Sequence, residues 1–251
     1  MKIKHAWVLG LALCAGSTEA ASLWPVSSSF VYQLQGTLKE HSQKVIFLDL
    51  FETSASQIKT LKGKGKTVIC YFSAGSAESW RSDYKQFPSR VVGNKLEGWD
   101  GERWLDVRDS SVLQVLSKRL DLAKSKGCHG VDPDNVDGYG HSTGFSLKKA
   151  DSVNFLTRMA SAARARGLGI GLKNASEIVG QVAKTLDWVV AEECFQYREC
   201  STYQPFVKLG KPIYAIEYTR YSKVKCTQAK RDKMSLIFAN YDLSGVVRAC
   251  P

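Results

Sequence analysis

The chain has 251 residues, 44% of them hydrophobic, which suits one sizeable core and a single domain. Lysine and arginine (35) outnumber aspartate and glutamate (24), giving a formal net charge of +11. The cations are scattered, with one dense run at positions 62–66, and no arginine-rich or aromatic nucleic-acid motif accompanies them. Nucleic acid is therefore excluded as the expected partner, and the charge points instead to an anionic surface such as a cell wall.

At the N-terminus, Lys2 and Lys4 precede an apolar run over 6–15, and small residues follow through Ala20 and Ala21. This pattern predicts a signal peptide over 1–20 and a mature domain over 21–251, secreted or periplasmic. The run is too short to span a bilayer, and no later stretch is long enough. Leu13 is a poor residue to precede Cys14 at a lipoprotein cleavage site, which argues against lipid anchoring. Loss of Lys2, Lys4 and Glu19 leaves 33 basic and 23 acidic residues, a net of +10.

Eight apolar, β-rich runs follow, at 30–34, 45–50, 67–72, 130–132, 168–172, 188–191, 212–217 and 236–239, each followed by a helix-compatible stretch. Val112, Leu113, Leu116, Leu120 and Ala123 share one helical face, with Ser110 or Ser111 as its cap. Phe155, Leu156, Met159, Ala160 and Ala163 share another. Gly65, Gly127, Gly167 and Gly210 close helices just before strands. Eight alternations over this length predict an α/β fold, a (β/α)8 TIM barrel; a doubly wound sheet has the same local pattern, but no G-x-G-x-x-G follows the first strand. Residues 74–109, with Trp80, Trp99 and Trp104, form the longest insertion and are expected to overhang the C-terminal face.

Once Cys14 leaves with the signal peptide, six cysteines remain, an even number in an exported chain, and disulfides are expected. Cys194 and Cys200 bracket a loop after Glu192, and Cys226 and Cys250 would tie down the tail. Whether Cys70 and Cys128, in or beside strands, are bonded or are buried thiols is left open. There is no C-x-x-C and few histidines, so neither a metal nor a cofactor is expected.

Several motifs fail in context. Gly140-His141-Ser142-Thr143-Gly144 has the spacing of a nucleophile elbow, but no histidine lies C-terminal to Ser142. Lys64-Gly65-Lys66-Thr67 lacks the leading glycine of a P-loop and runs from helix into strand. The carboxylates do better. Asp49, Asp132, Asp134, Glu192 and Glu217 all fall at strand ends, where a barrel gathers its functional side chains, with Tyr71 and Lys173-Asn174 at two further ends. Carboxylates that converge raise each other's pKa, which a general acid needs, and paired carboxylates are the requirement for glycosidic cleavage. Trp80, Trp104, Tyr139, Phe195, Tyr197 and Tyr218 lie near the same rim, as candidates to stack on sugar faces.

Six blocks occur in order: Phe51-Glu52-Thr53-Ser54, Ile69-Cys70-Tyr71-Phe72-Ser73-Ala74-Gly75-Ser76, Arg103-Trp104-Leu105-Asp106-Val107-Arg108, Pro133-Asp134-Asn135-Val136-Asp137-Gly138-Tyr139, Gly171-Leu172-Lys173-Asn174 and Glu192-x-Cys194-Phe195. Together, over residues 24–220, they resemble glycoside hydrolase family 114, the endo-α-1,4-polygalactosaminidases. The resemblance implies a cofactor-free barrel that cleaves galactosamine or N-acetylgalactosamine polymers internally. It implies Asp134 and Glu192 as the catalytic pair, roles unassigned, with Asp49, Tyr71, Asp132, Lys173 and Glu217 shaping sugar subsites beside the rim aromatics Trp104 and Tyr139. Ala191 stands where asparagine is expected, and Asp132 where glutamate is frequent. The rival expectation is a non-catalytic glycan-binding or cell-wall-associated barrel. A monomer is expected in either case.

Overall fold

The computed structural model describes residues 24–251; the signal peptide expected over 1–20 lies outside them. All eight apolar runs are strands: β1 (Phe30–Gln33), β2 (Val45–Asp49), β3 (Thr67–Ser73), β7 (Gly130–Asp134), β8 (Gly169–Lys173), β9 (Trp188–Glu192), β10 (Ile213–Glu217) and β11 (Ser235–Ala239). They pair in parallel in that order. A strand buried on both faces reads as an unbroken apolar run, which is why these were conspicuous.

Alternation along each strand separates two cores. Phe30, Tyr32, Val45, Phe47, Ile69, Trp188, Val190, Tyr214, Ile216 and Ile237 pack together inside the barrel. The intervening residues, among them Ile46, Val68, Val131, Ile170, Val189 and Ala215, pack outward with the helices. The Trp188 indole crosses the floor because β8 offers no side chain there: a Cβ at Gly171 would lie 2.0 Å from Trp188 Nε1.

β1 and β11 are not joined by a ladder. A last strand, β12 (Val247–Ala249), runs antiparallel on β11, and the segment before it bridges to β1 through Ser244 opposite Gln33 and Leu34 N–H to Leu243 O at 2.8 Å. The barrel is therefore nearly closed, with the tail as its seam. The insertion after β3 forms a small antiparallel sheet of β4 (Ser76–Glu78), β5 (Val92–Lys95) and β6 (Glu102–Leu105), in the order β4-β6-β5.

The helices are α1 (Ala55–Gly63), α2 (Ser110–Lys126), α3 (Lys149–Arg164), α4 (Val179–Val182), α5 (Gln204–Lys208) and α6 (Lys223–Arg231). Strict alternation fails after β1, where 34–44 is a loop organised by the Gln33 amide, which donates to Gln35 O and Thr37 O. The cap of α2 is Asp109, which accepts from Ser111 N–H, in place of the expected serine. Gly127 closes α2 in the left-handed region, as expected. Cys194–Cys200 and Cys226–Cys250 are bonded as expected, and Cys70–Cys128 is a third disulfide, tying β3 to the entry of β7.

Candidate active site

Whether a side chain at a strand end enters the barrel is decided by a period of two. Tyr32, Tyr71, Asp132, Asp134, Lys173 and Glu192 keep step with the interior residues of their strands, and they meet at the C-terminal mouth. Lys173 is the hub. Its Nζ is 3.4 Å from Asp134 Oδ2, 3.6 Å from Glu192 Oε2 and 3.9 Å from Asp132 Oδ2, and it donates to the Tyr32 hydroxyl at 3.1 Å. Burial works against the ammonium, but Asp134, Glu192 and Asp132 outweigh it and hold the Lys173 pKa above its ordinary value.

Burial pushes Asp132 up to about 6, against the pull of Lys173 and the Tyr32 hydroxyl, which donates to Oδ2 at 2.5 Å. Its Oδ1 has no partner among the described residues. Asp134 is also raised, by burial first and then by Glu192, with Lys173 opposing. It accepts from the Tyr71 hydroxyl at 3.0 Å and from Asn135 N–H at 2.8 Å. That second bond needs Asn135 in the left-handed region (φ 59°), which asparagine tolerates. It also needs Gly75, because a Cβ there would fall 1.6 Å from Asn135 O.

Glu192 is clamped from two neighbouring strands. Asn174, also left-handed (φ 49°), donates from Nδ2 to Oε2 at 2.9 Å and accepts Glu192 N–H at 2.9 Å. The Tyr218 hydroxyl donates to Oε1. Given the two distances from Lys173, the facing oxygens of Asp134 and Glu192 are at most about 7 Å apart. That bound is compatible with the spacing of retaining pairs, about 5–5.5 Å between carboxyl groups.

Four expected residues are placed elsewhere. Asp49 is buried in an ion pair with Arg81 at 2.5 Å, which fastens β2 to the insertion, and its Oδ1 accepts from Phe51 and Glu52 N–H. Glu217 is out of step with Tyr214 and Ile216, so it turns outward, fully buried, to Lys225 and Phe195 N–H. Trp104 is buried on β6 and stacks on His141 at 4.8 Å. Tyr139 packs on the outer core. In exchange the structure adds Tyr32, which the sequence reading passed over, and turns Tyr218 from a stacking candidate into a hydrogen-bond donor. Counting by twos along the strands would have found both.

A (β/α) barrel with two closely spaced carboxylates around a buried lysine at its C-terminal mouth has the parts of a glycoside hydrolase. The model of glycoside-hydrolase family GH114 matches residues 12–251, and the chain belongs to that family. It is similar to a crystal structure of Aspergillus fumigatus Ega3 in complex with galactosamine, with 39% identity, a TM-score of 0.87 and coverage of 93% of this chain and 99% of that one. The glycoside hydrolase domain of PelA from Pseudomonas aeruginosa shares the fold, at 15% identity and a TM-score of 0.73 over 90% of this chain and 98% of that one. An uncharacterized protein of Deinococcus radiodurans is 25% identical over 189 residues, 67% of this chain; the match spans 61% of that relative's length.

Proposed function

We propose that the protein is an exported endo-acting glycoside hydrolase of galactosamine-containing polysaccharide, working by retention with Asp134 and Glu192 as its carboxylate pair. The observation that carries this is the convergence of both groups on Lys173, at 3.4 and 3.6 Å. Asp134 takes the nucleophile's part: Lys173, the Tyr71 hydroxyl and Asn135 N–H bear on its carboxylate and oppose the rise that burial and Glu192 give its pKa. Glu192 takes the acid–base part. It gives its proton to the glycosidic oxygen as the C1–O bond breaks toward that oxygen, while Asp134 Oδ2 bonds to C1. A water molecule then loses a proton to Glu192, attacks C1 and frees Asp134.

The charge of the mouth supports this reading. A polymer with free amines is cationic, as is this protein overall, but the mouth gathers three carboxyl groups against one ammonium. Attraction is therefore local, in a cleft that salt screens less than open surface. Export is supported by the three disulfides, and among the described residues no helix is long and apolar enough to cross a membrane.

The test is reducing-end release from α-1,4-linked galactosamine polymer, with wild type against Asp134→Asn and Glu192→Gln. Oligosaccharides of retained α configuration from wild type, and losses of several orders of magnitude in both folded variants, are expected. A wild-type protein that binds the polymer without cutting it would make the barrel a binding module; one that does neither would remove the substrate assignment.

A further inference from the structure

Beside the mouth, the chain carries a second carboxylate that the catalytic pair does not use. Glu193 follows Glu192 directly, with its backbone in the left-handed region (φ 53°) and its N–H donated to Ile216 O at 2.7 Å. The Tyr241 hydroxyl donates to Glu193 Oε1 at 3.0 Å. The Tyr241 ring lies on Tyr218, centroids 4.3 Å apart and planes inclined by 23°. Tyr218 in turn donates to Glu192. Two stacked tyrosines thus link two successive carboxylates, one in the mouth and one on its rim.

Three features of this rim point to a ligand. Tyr241, which holds the Glu193 carboxylate, is 67% exposed, and Tyr197, whose N–H donates to Glu193 O at 3.0 Å, is 66% exposed, so two aromatic side chains tied to Glu193 are open to solvent. No cationic side chain pairs with Glu193 among the described residues, in a protein with a large excess of cations. And Glu193 uses a single oxygen for Tyr241, leaving acceptor capacity on the other.

We infer that Glu193 and Tyr241 form a subsite for the 2-ammonium group of a sugar residue next to the scissile one, and that this subsite selects free-amine over N-acetylated chains. The inference rests on the glycosidase reading of the mouth. A carboxylate with a free lone pair accepts a charge-assisted hydrogen bond from the ammonium. The exposed ring of Tyr241 supplies a face for the pyranose C–H groups and for the cation. An acetamide at the same place offers only a neutral N–H and adds bulk, so the charged contact is lost. The Tyr218 stack fixes the height of this sugar relative to Glu192, so the rim controls which residue is presented for cleavage.

The experiment compares wild type, Glu193→Gln, Tyr241→Phe and Tyr241→Ala on α-1,4-galactosamine oligomers and on the same oligomers after N-acetylation, at low and high salt. Calorimetric binding to the same variants in an Asp134→Asn background runs alongside. Glu193→Gln is expected to raise KM for the amino oligomers roughly tenfold, with kcat kept and the acetylated oligomers unaffected. The wild-type advantage should shrink at high salt. Tyr241→Ala weakens both oligomers, whereas Tyr241→Phe, which keeps the ring, has a smaller effect. Equal changes on both oligomers for Glu193→Gln, or none, would overturn the inference. If wild type cuts neither oligomer, the glycosidase reading fails, and calorimetry decides separately: selective loss of amino-oligomer binding upholds the subsite and unchanged binding removes it.

Discussion

Tyr218, one residue past the end of β10, donates its hydroxyl to Glu192 Oε1. The bond crosses from one strand to the next, so it fixes the carboxyl group in direction as well as in charge environment. Hydrogen bonds to charged groups contribute about 1.5–3 kcal/mol, and one that orients an acid–base group acts chiefly on the chemical step. Tyr218→Phe, which keeps the ring and its stack on Tyr241, should lower kcat roughly 10–100-fold with little change in KM. Steady-state kinetics on a folded variant checks this; a rise in KM alone would mean that the hydroxyl serves binding.

Glu217, on the same strand, belongs to stability. Its carboxylate is fully buried against Lys225 and accepts Phe195 N–H. Glu217→Gln keeps an acceptor for the backbone but breaks a buried ion pair, so a loss of about 3 kcal/mol is expected, with kcat near that of wild type. Urea denaturation and kinetics on the same preparation separate the two. A large fall in kcat at unchanged stability would return Glu217 to the site.

The contrast between Tyr218 and Glu217 shows what could be read from the chain. The eight strands were legible because each is buried on two faces and punctuated by turns. Asp134, Lys173 and Glu192 were legible because strand ends are where a barrel collects its chemistry. Reading strand ends without their phase admitted Glu217, one position out of step, and passed over Tyr32, which lies one pair further down β1. Asp49 was in phase and still unavailable, since Arg81 arrives from an insertion whose path no local pattern reveals. The loop at 34–44 replaces a helix for the same reason: its order depends on hydrogen bonds to Gln33 rather than on periodicity.

The three disulfides should differ in weight. Cys70–Cys128 closes a loop of 58 residues, and Cys194–Cys200 one of 6. Chain-entropy arguments give about 4 kcal/mol for the first and about 2 kcal/mol for the second. Double serine variants, unfolded in urea, should therefore rank with Cys70/Cys128 as the more costly pair. The opposite order would mean that the short bridge supports the Glu192–Glu193 turn more than its loop length implies.

Asp132 gives the fold a pH dependence of defined sign. Burial raises its pKa from an ordinary 3.8 to about 6, so the folded chain binds this proton more tightly than the unfolded chain. The stability it contributes is complete below about pH 4 and is lost as pH rises toward 6, a span worth roughly 3 kcal/mol at most. Asp132→Asn cannot titrate and retains an oxygen for the Tyr32 hydroxyl. Relative to wild type, its stability should improve steadily between pH 4 and 6 and level off above. Urea denaturation at unit steps from pH 4 to 7 measures that difference. A constant difference across the range would show that Asp132 stays ionised in the fold, with Lys173 compensating its burial completely.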